Sequence, residues 1–280
     1  NQITTDSTKI MVMDKTADIL VIDDEQVIID AVLKICALED YSVDSAINTK
    51  TGLEKISKNF YPIIISDIMM PDGDGFQILD TINKYKKDSV VIMTTGFSTV
   101  ENAVNSLYKG ALSFIPKPFT VDELLSVLFR AKNYIKIIKE EKSFSPQQRD
   151  KALIYVTCPA KYFRLGHSTW MVQEREGSVL VGICDIYMKA IESVTNIEML
   201  QPEDELIQGT ACATLTSSDE RIHKVLAPLS GRIVEVNNNV INNPLLIEKD
   251  PYFDGWLYRI IPANLDYEIK YLIPCSSDRL

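Results

Sequence analysis

The run IIISDIMMPDGDG, Ile63 to Gly75, decides the fold. Ile63, Ile64 and Ile65 are β-branched and apolar, the composition of a strand buried on both faces. The strand ends on an acid, Asp67, and Pro71-Asp72-Gly73-Asp74-Gly75 turns the chain at once. An aspartate at the carboxyl end of a buried strand stands where open α/β sheets hold their ligands. A lone acid there is more often a loop cap, so the functional reading of Asp67 depends on partners elsewhere in the chain.

Upstream, Asp18 to Ile22 reads as a buried strand that ends in Asp23-Asp24, and Ile28, Ile29, Val32, Leu33 and Ile35 follow with helical spacing. Tyr41 to Ala46 is a second strand and Thr51 to Lys58 a second helix. Downstream, Phe76 to Tyr85 is helical and Val90 to Thr94 is a strand. Ser98-x-x-Glu101 has the form of a capping box and opens a helix that Gly110 ends. Leu112 to Pro116 is the fifth strand, and Thr120-x-x-Glu123 caps the fifth helix. Five strands alternating with five helices predict an α/β fold, a five-stranded parallel, doubly wound sheet.

In such a sheet Asp23, Asp24, Asp67, Thr95 and Lys117 gather at the carboxyl edge. Clustered carboxylates repel and raise one another's pKa, and a hard dication relieves this; Mg²⁺ prefers such oxygen ligands. Asp67 can then act as a nucleophile toward a phosphoryl group. Mg²⁺ and Lys117 would neutralise the equatorial phosphoryl oxygens, and the Thr95 hydroxyl would donate to one of them.

These residues carry a resemblance. Asp23-Asp24, Asp67 within D-I-M-M-P-D-G-D-G, Thr95-Gly96 and Lys117-Pro118-Phe119 resemble the receiver domain of two-component response regulators, over about Ala17 to Ile138. The resemblance implies that Asp67 accepts a phosphoryl group from a histidine kinase. It implies that Asp23, Asp24, Asp67 and the backbone carbonyl of Met69 hold Mg²⁺, that Thr95 and Phe114 form the switch pair, and that Lys117-Pro118 is cis. Phosphorylation adds charge and acceptors at Asp67, Thr95 moves toward them, and the space it leaves can take Phe114. The surface of the fourth helix, fifth strand and fifth helix then changes shape. Met69 and Phe97 flank the path of an attacking water and predict slow self-dephosphorylation.

The fifth helix outruns the domain. Leu124, Leu128, Ala131, Ile135 and Ile138 recur at intervals of four and three, the spacing of a short coiled-coil seam. Leu124 and Leu128 suit the domain's own sheet; Ala131, Ile135 and Ile138 predict a homodimer seam. Glu140 to Asp150 is polar, contains Pro146 and reads as a linker. The expected divisions are a disordered or tag-derived segment at 1–16, the receiver at 17–139, a linker at 140–158, a second domain at 159–268 and a tail at 269–280.

The second half begins with a strand-like stretch, Lys151 to Cys158. Short strands follow at Trp170 to Gln173, Val179 to Ile183, Val194 to Met199, Gly209 to Thr216, Ile222 to Leu226, Gly231 to Val236 and Leu257 to Ile261, with a helical Ile186 to Ile191. The pattern predicts a mainly β sandwich or flattened barrel. His167 and Trp170, Val181-Gly182-Ile183, Ala227-Pro-Leu-Ser-Gly231 with Val234-Glu-Val-Asn237, Asn243-Pro244, Asp250-Pro-Tyr and Gly255-Trp-Leu257 resemble the H protein of the glycine cleavage system, a lipoyl carrier. That family carries lipoate on a lysine at a hairpin tip. Here the position falls on Asp219 or Glu220, neither of which forms the amide, so no lipoate is expected. Lys224, several residues along the next strand, is the nearest lysine. His167 and Trp170 are then expected to be structural, as a strand-end polar residue and a core aromatic.

The 280 residues carry a net charge of −10 and no basic block, which argues against DNA binding, and no apolar run spans a membrane. Five scattered cysteines read as reduced thiols of a cytoplasmic protein, and with two histidines a zinc site is not expected. There is no helix-turn-helix, phosphate-binding loop or cyclase motif. The leading expectation is a response regulator, not an enzyme beyond its own phosphotransfer and dephosphorylation. Its partners would be a histidine kinase and an unidentified protein bound by the second domain. The alternatives are a lipoyl carrier using Lys224, regulated by phosphorylation, and a phosphate sink.

Overall fold

The computed structural model describes residues 16–85, 88–96, 99–144 and 154–279. The first half is a five-stranded parallel sheet in the order β2-β1-β3-β6-β7, formed by β1 (Ile19–Ile22), β2 (Val43–Ala46), β3 (Ile63–Asp67), β6 (Val90–Thr95) and β7 (Ser113–Pro116). Its apolar strands do not alternate because both faces are covered. Leu20, Ile22, Ile64 and Met93 fill one core, and Ile19, Val21, Ile65 and Ile92 fill the other. The covering helices are α1 (Gln26–Ala37), α2 (Thr49–Lys58), α3 (Phe76–Lys84), α4 (Val100–Tyr108) and α5 (Val121–Ser143).

Between β3 and α3 a small hairpin, β4 (Met69–Met70) with β5 (Gly73–Asp74), folds the Pro-Asp-Gly turn back. Thr120 caps α5 with the expected capping box. At α4 the cap is Thr99, whose hydroxyl accepts the Asn102 N–H at 3.2 Å; Ser98 and Phe97 lie outside the described residues.

The second half pairs a seven-stranded sheet with a three-stranded one. The larger sheet runs β12 (Glu205–Leu206), β15 (Gly231–Val236), β16 (Trp256–Pro262), β10 (Val179–Ile183), β9 (Thr169–Gln173), β8 (Phe163–Leu165) and β17 (Ile273–Pro274). The smaller is β11 (Val194–Met199), β13 (Ala211–Ser217) and β14 (Ile222–Leu226). Val181, Leu215, Val225, Ile233 and Tyr258 fill the space between them. Short helices α6 (Asp185–Lys189), α7 (Asn238–Asn242), α8 (Leu245–Lys249) and α9 (Leu265–Glu268) close the ends. Residues 154–158, the described part of the stretch read as a strand, are not in a strand. The segment set apart as a tail supplies β17, which pairs with β8. All five cysteines are buried and free, and among the described residues no helix is long and apolar enough to cross a membrane.

The two halves are packed together. Val104 and Leu107 of α4 enter the second half's core, and Ile137 of α5 joins a cluster with Trp170, Cys184 and Tyr252. Arg130 of α5 donates through Nη1 to the Tyr187 hydroxyl at 3.1 Å, and that hydroxyl donates to the Lys224 carbonyl at 2.9 Å. Asn133 donates to the Ala190 carbonyl at 3.2 Å, and Tyr134 meets His167 at 3.2 Å. Gly209, at φ +80°, presses against α4 so closely that a Cβ there would lie 2.8 Å from a Val104 methyl.

Within this chain the stripe of α5 read as a dimer seam has the following neighbours. Ala131 is fully buried in the first half's own core, Ile135 packs on that core, and Ile138 packs on the cluster shared with the second half. The first half's own core thus covers Ala131 and Ile135, and the second half packs on Ile138.

Candidate functional site

The carboxyl ends of β1, β3 and β7 bring an acidic pocket together. Asp23 and Asp67 are 1% and 4% exposed. Lys117 arrives from β7 and places Nζ 2.7 Å from Asp67 Oδ2 and 2.7 Å from Asp23 Oδ2, with Glu25 Oε1 at 3.5 Å. Carboxylate oxygens of Asp23, Glu25 and Asp67 lie within 4.8 Å of one another. One ammonium therefore faces more negative charge than it balances. Burial pulls the Lys117 pKa down, but hydrogen bonds to Asp23 and Asp67 outweigh it and raise the pKa above the ordinary lysine value. Burial pushes the Asp23 carboxyl up despite hydrogen bonds from Lys117 and the Glu25 N–H. An all-oxygen donor set with surplus negative charge fits a hard dication such as Mg²⁺.

The turn after β3 is built to hold Asp67 still. The Met69 N–H donates to Asp67 Oδ1 at 3.2 Å, and the Gly75 N–H to the Ile68 carbonyl at 2.8 Å. A Cβ on Gly75 would stand 1.9 Å from the Asp67 carbonyl oxygen, so only glycine lets the chain return this close. Asp72 receives the N–H groups of Thr49 and Lys50 at 3.1 Å each, tying the turn to the start of α2.

Of the residues expected at this edge, Asp23, Asp67 and Lys117 meet directly. Asp24 is half-buried and outside the trio of converging carboxylates; Glu25, not singled out in the sequence, is inside it. Thr95 is fully buried at the end of β6, and its carbonyl accepts the Lys117 N–H at 2.8 Å. Phe114 is half-buried on β7, opposite Met93, and Met69 is 54% exposed beside the pocket. The Lys117–Pro118 bond is cis.

Comparison with known proteins accounts for both halves. The model of the response regulator receiver domain matches residues 19–129, and that of the glycine cleavage H-protein matches residues 161–276. The chain is 32% identical over 104 residues to a probable glycine cleavage system H protein 1 of Saccharolobus solfataricus, covering 37% of this chain and 75% of that one. The chain unites the two families, a response-regulator receiver domain followed by a glycine cleavage H domain. The receiver is also 36% identical over 108 residues to the transcriptional regulatory protein DltR of Streptococcus agalactiae, covering 39% of this chain and 48% of that one. The chain thus spans about half the length of that regulator. A solved receiver domain protein from Methanospirillum hungatei is 33% identical, with a TM-score of 0.40, over 44% of this chain and 96% of its own.

The H domain's hairpin tip faces the receiver. Glu220 turns it at φ +64°, and Asp219 accepts from the Ser217 hydroxyl at 2.5 Å and from Arg221 Nε at 2.8 Å. Arg221 reaches Glu39 of the receiver at 3.2 Å and lies over the Phe129 ring of α5 at 4.5 Å. Lys224, the nearest lysine, pairs with Glu123 of α5 at 2.5 Å. Trp170 is the expected core aromatic, its indole N–H donating to the Ile183 and Pro251 carbonyls at 3.0 Å each. His167 instead meets the receiver through Tyr134. A strand-end histidine gives no sequence signal for that role.

Proposed function

We propose that this protein is a phosphorylation-controlled response regulator in which the H domain is a non-lipoylated binding module, held on the α4–β7–α5 face until Asp67 is phosphorylated. The observation that carries the reading is that the H domain covers the same face that Thr95 and Phe114 would reshape. An Asp67 oxygen attacks the phosphorus of a phosphohistidine; the O–P bond forms as the P–N bond breaks, and the nitrogen's electron pair returns to the imidazole. Lys117 stays against the transferred group and offsets its charge. Asp23 and Asp67, with Asp24 or Glu25 and the Met69 carbonyl, would hold Mg²⁺, which supplies further charge neutralisation there when bound. The Thr95 hydroxyl turns toward the phosphoryl oxygens and Phe114 moves into the space, so the surface under the H domain no longer fits. The exposed module then binds its protein partner; the kinase and that partner are recognised by chemistry outside this chain.

Hydrogen–deuterium exchange of the full chain with and without beryllofluoride and Mg²⁺ tests this. Exchange should rise in α4, β7 and β14 on activation; unchanged protection at all three would defeat the release model. Lys224 as a lipoyl site is the second reading, because it is the one lysine close to the carrier position. Its ion pair with Glu123 favours a docking role. Intact mass after co-expression with a lipoate ligase separates the two, since a lipoyl increment on Lys224 would establish the carrier.

A further inference from the structure

Between the receiver and the H domain lies a cavity of about 280 Å³. Its walls include Val100, Ala103 and Leu107 of α4, Phe114 of β7, Val127 of α5 and Leu226 of β14. Val100 and Ile222, which also lines it, are both well exposed, so the cavity meets solvent there. Arg130 lines the same space and is only 5% exposed. Its guanidinium has neutral partners, the Ser113 hydroxyl at 2.8 Å, the Tyr187 hydroxyl at 3.1 Å and the face of the Tyr187 ring at 4.7 Å. Among the described residues no carboxylate pairs with it, and Nε has no hydrogen-bond partner.

A buried cation without an anion is poorly compensated, and two hydroxyls and one ring face do not neutralise it. Guanidinium and carboxylate match as planar forks, so the anion that suits this position is a carboxylate. Size follows from volume. A dry cavity of about 150 Å³ admits benzene. This one is nearly twice as large, with an apolar wall along α4 and β7.

We propose that the space between the two domains binds a small monocarboxylate with an apolar body larger than benzene, its head on Arg130 and its chain along Ala103, Leu107 and Phe114. The acid must be free, because an amide or thioester loses the charge that Arg130 requires. Since the ligand touches both domains, it favours the docked arrangement, and it reaches the receiver through Phe114. By linkage, anything that separates the domains weakens the ligand, and the ligand resists separation. The site does not depend on the phosphoryl-acceptor reading; its test uses unphosphorylated protein alone.

The test is a titration of the full chain followed by NMR chemical shifts, with octanoate, octanamide and acetate as probes. Octanoate should saturate one site and shift Ala103, Phe114 and Arg130, with octanamide and acetate at least tenfold weaker. Arg130→Met should weaken octanoate at least tenfold more than it weakens octanamide, because the lost docking contact affects both and the lost charge affects only the acid. Ala103→Leu keeps the cation but fills the chain wall, and it should weaken octanoate by a similar factor. Octanamide binding as well as octanoate, Arg130→Met binding octanoate like the parent, or no octanoate shifts at millimolar concentration would each overturn the proposal. If Arg130→Met does not fold, octanamide and Ala103→Leu still decide it.

Discussion

Breaking the Arg130–Tyr187 contact should loosen the H domain from the receiver by a predictable amount. Tyr187→Phe keeps the ring, which lies 4.7 Å beneath the guanidinium, and deletes the hydroxyl that accepts from Nη1 at 3.1 Å and donates within the H domain to the Lys224 carbonyl at 2.9 Å, so the double-variant cycle isolates the Arg130 bond. A hydrogen bond from a charged donor in a buried site contributes about 1.5–3 kcal/mol. That corresponds to roughly a 10- to 150-fold change in the docking equilibrium. Both tryptophans of the chain, Trp170 and Trp256, belong to the H domain, so their fluorescence during urea unfolding reports that domain alone. The set is the parent chain, Arg130→Met, Tyr187→Phe and the double variant, each with and without beryllofluoride and Mg²⁺. Without the phosphoryl mimic the coupling energy should be about 2 kcal/mol, the middle of the hydrogen-bond range. With it the coupling should fall toward zero, because the two side chains no longer meet. Additivity within about 0.5 kcal/mol in the absence of the mimic would show that this contact holds nothing together. A coupling that the mimic leaves intact would show that the switch does not act through this junction.

Four further outcomes follow from the site. Asp67→Asn should abolish phosphoryl uptake from acetyl phosphate on a phosphate-affinity gel; undiminished labelling would move the acceptor elsewhere. Gly75→Ala forces the turn away from the Asp67 carbonyl, and urea unfolding should show a loss of roughly 1–3 kcal/mol, with slower phosphorylation. The phosphorylated protein should decay slowly if Met69, exposed beside the pocket, shields the route of an attacking water, and loss within seconds would refute this. His223 is buried and its pKa is lowered to about 4, first by burial and then by the nearby Arg130. The unfolded histidine has the higher pKa, so its contribution to stability is complete above about 6.5 and is lost as pH falls toward 4. This amounts to about 3 kcal/mol across that window, and His223→Gln should flatten the dependence measured by tryptophan fluorescence.

Much of the fold was legible because burial dictates composition. Ile63 to Ile65 lie between two cores, so the run had to be continuously apolar, and Val179 to Ile183 and Val194 to Met199 run from turn to turn as read. Asp67 and Lys117 were legible because strand ends in a parallel sheet share one edge. Glu25 was not, since adjacency in sequence does not say which of three consecutive acids reaches the Lys117 ammonium, and Glu25 does so from an exposed position. Glu25 precedes α1 and reaches back with a longer side chain, while Asp24 stands half-buried outside the trio. Helix spacing likewise states that a face is covered and not by what. Ile135 and Ile138 carry the periodicity of an intermolecular seam, yet in this chain Ile135 packs on the receiver's core and Ile138 on the cluster shared with the H domain. Arg130 and Asn133, polar residues on the same helix, were the available hint that the cover has hydroxyls and carbonyls.

The tightness of the junction at Gly209 has a consequence for how such a two-part device is retuned. A methyl added there would stand 2.8 Å from a Val104 methyl and in a backbone conformation that disfavours a side chain, so α4 and the β12–β13 turn must shift apart locally. If the H domain is released on phosphorylation as proposed, a protein altered in this way would sit partly in the released state while Asp67 stayed bare. Volume at one backbone position would then substitute for an incoming signal.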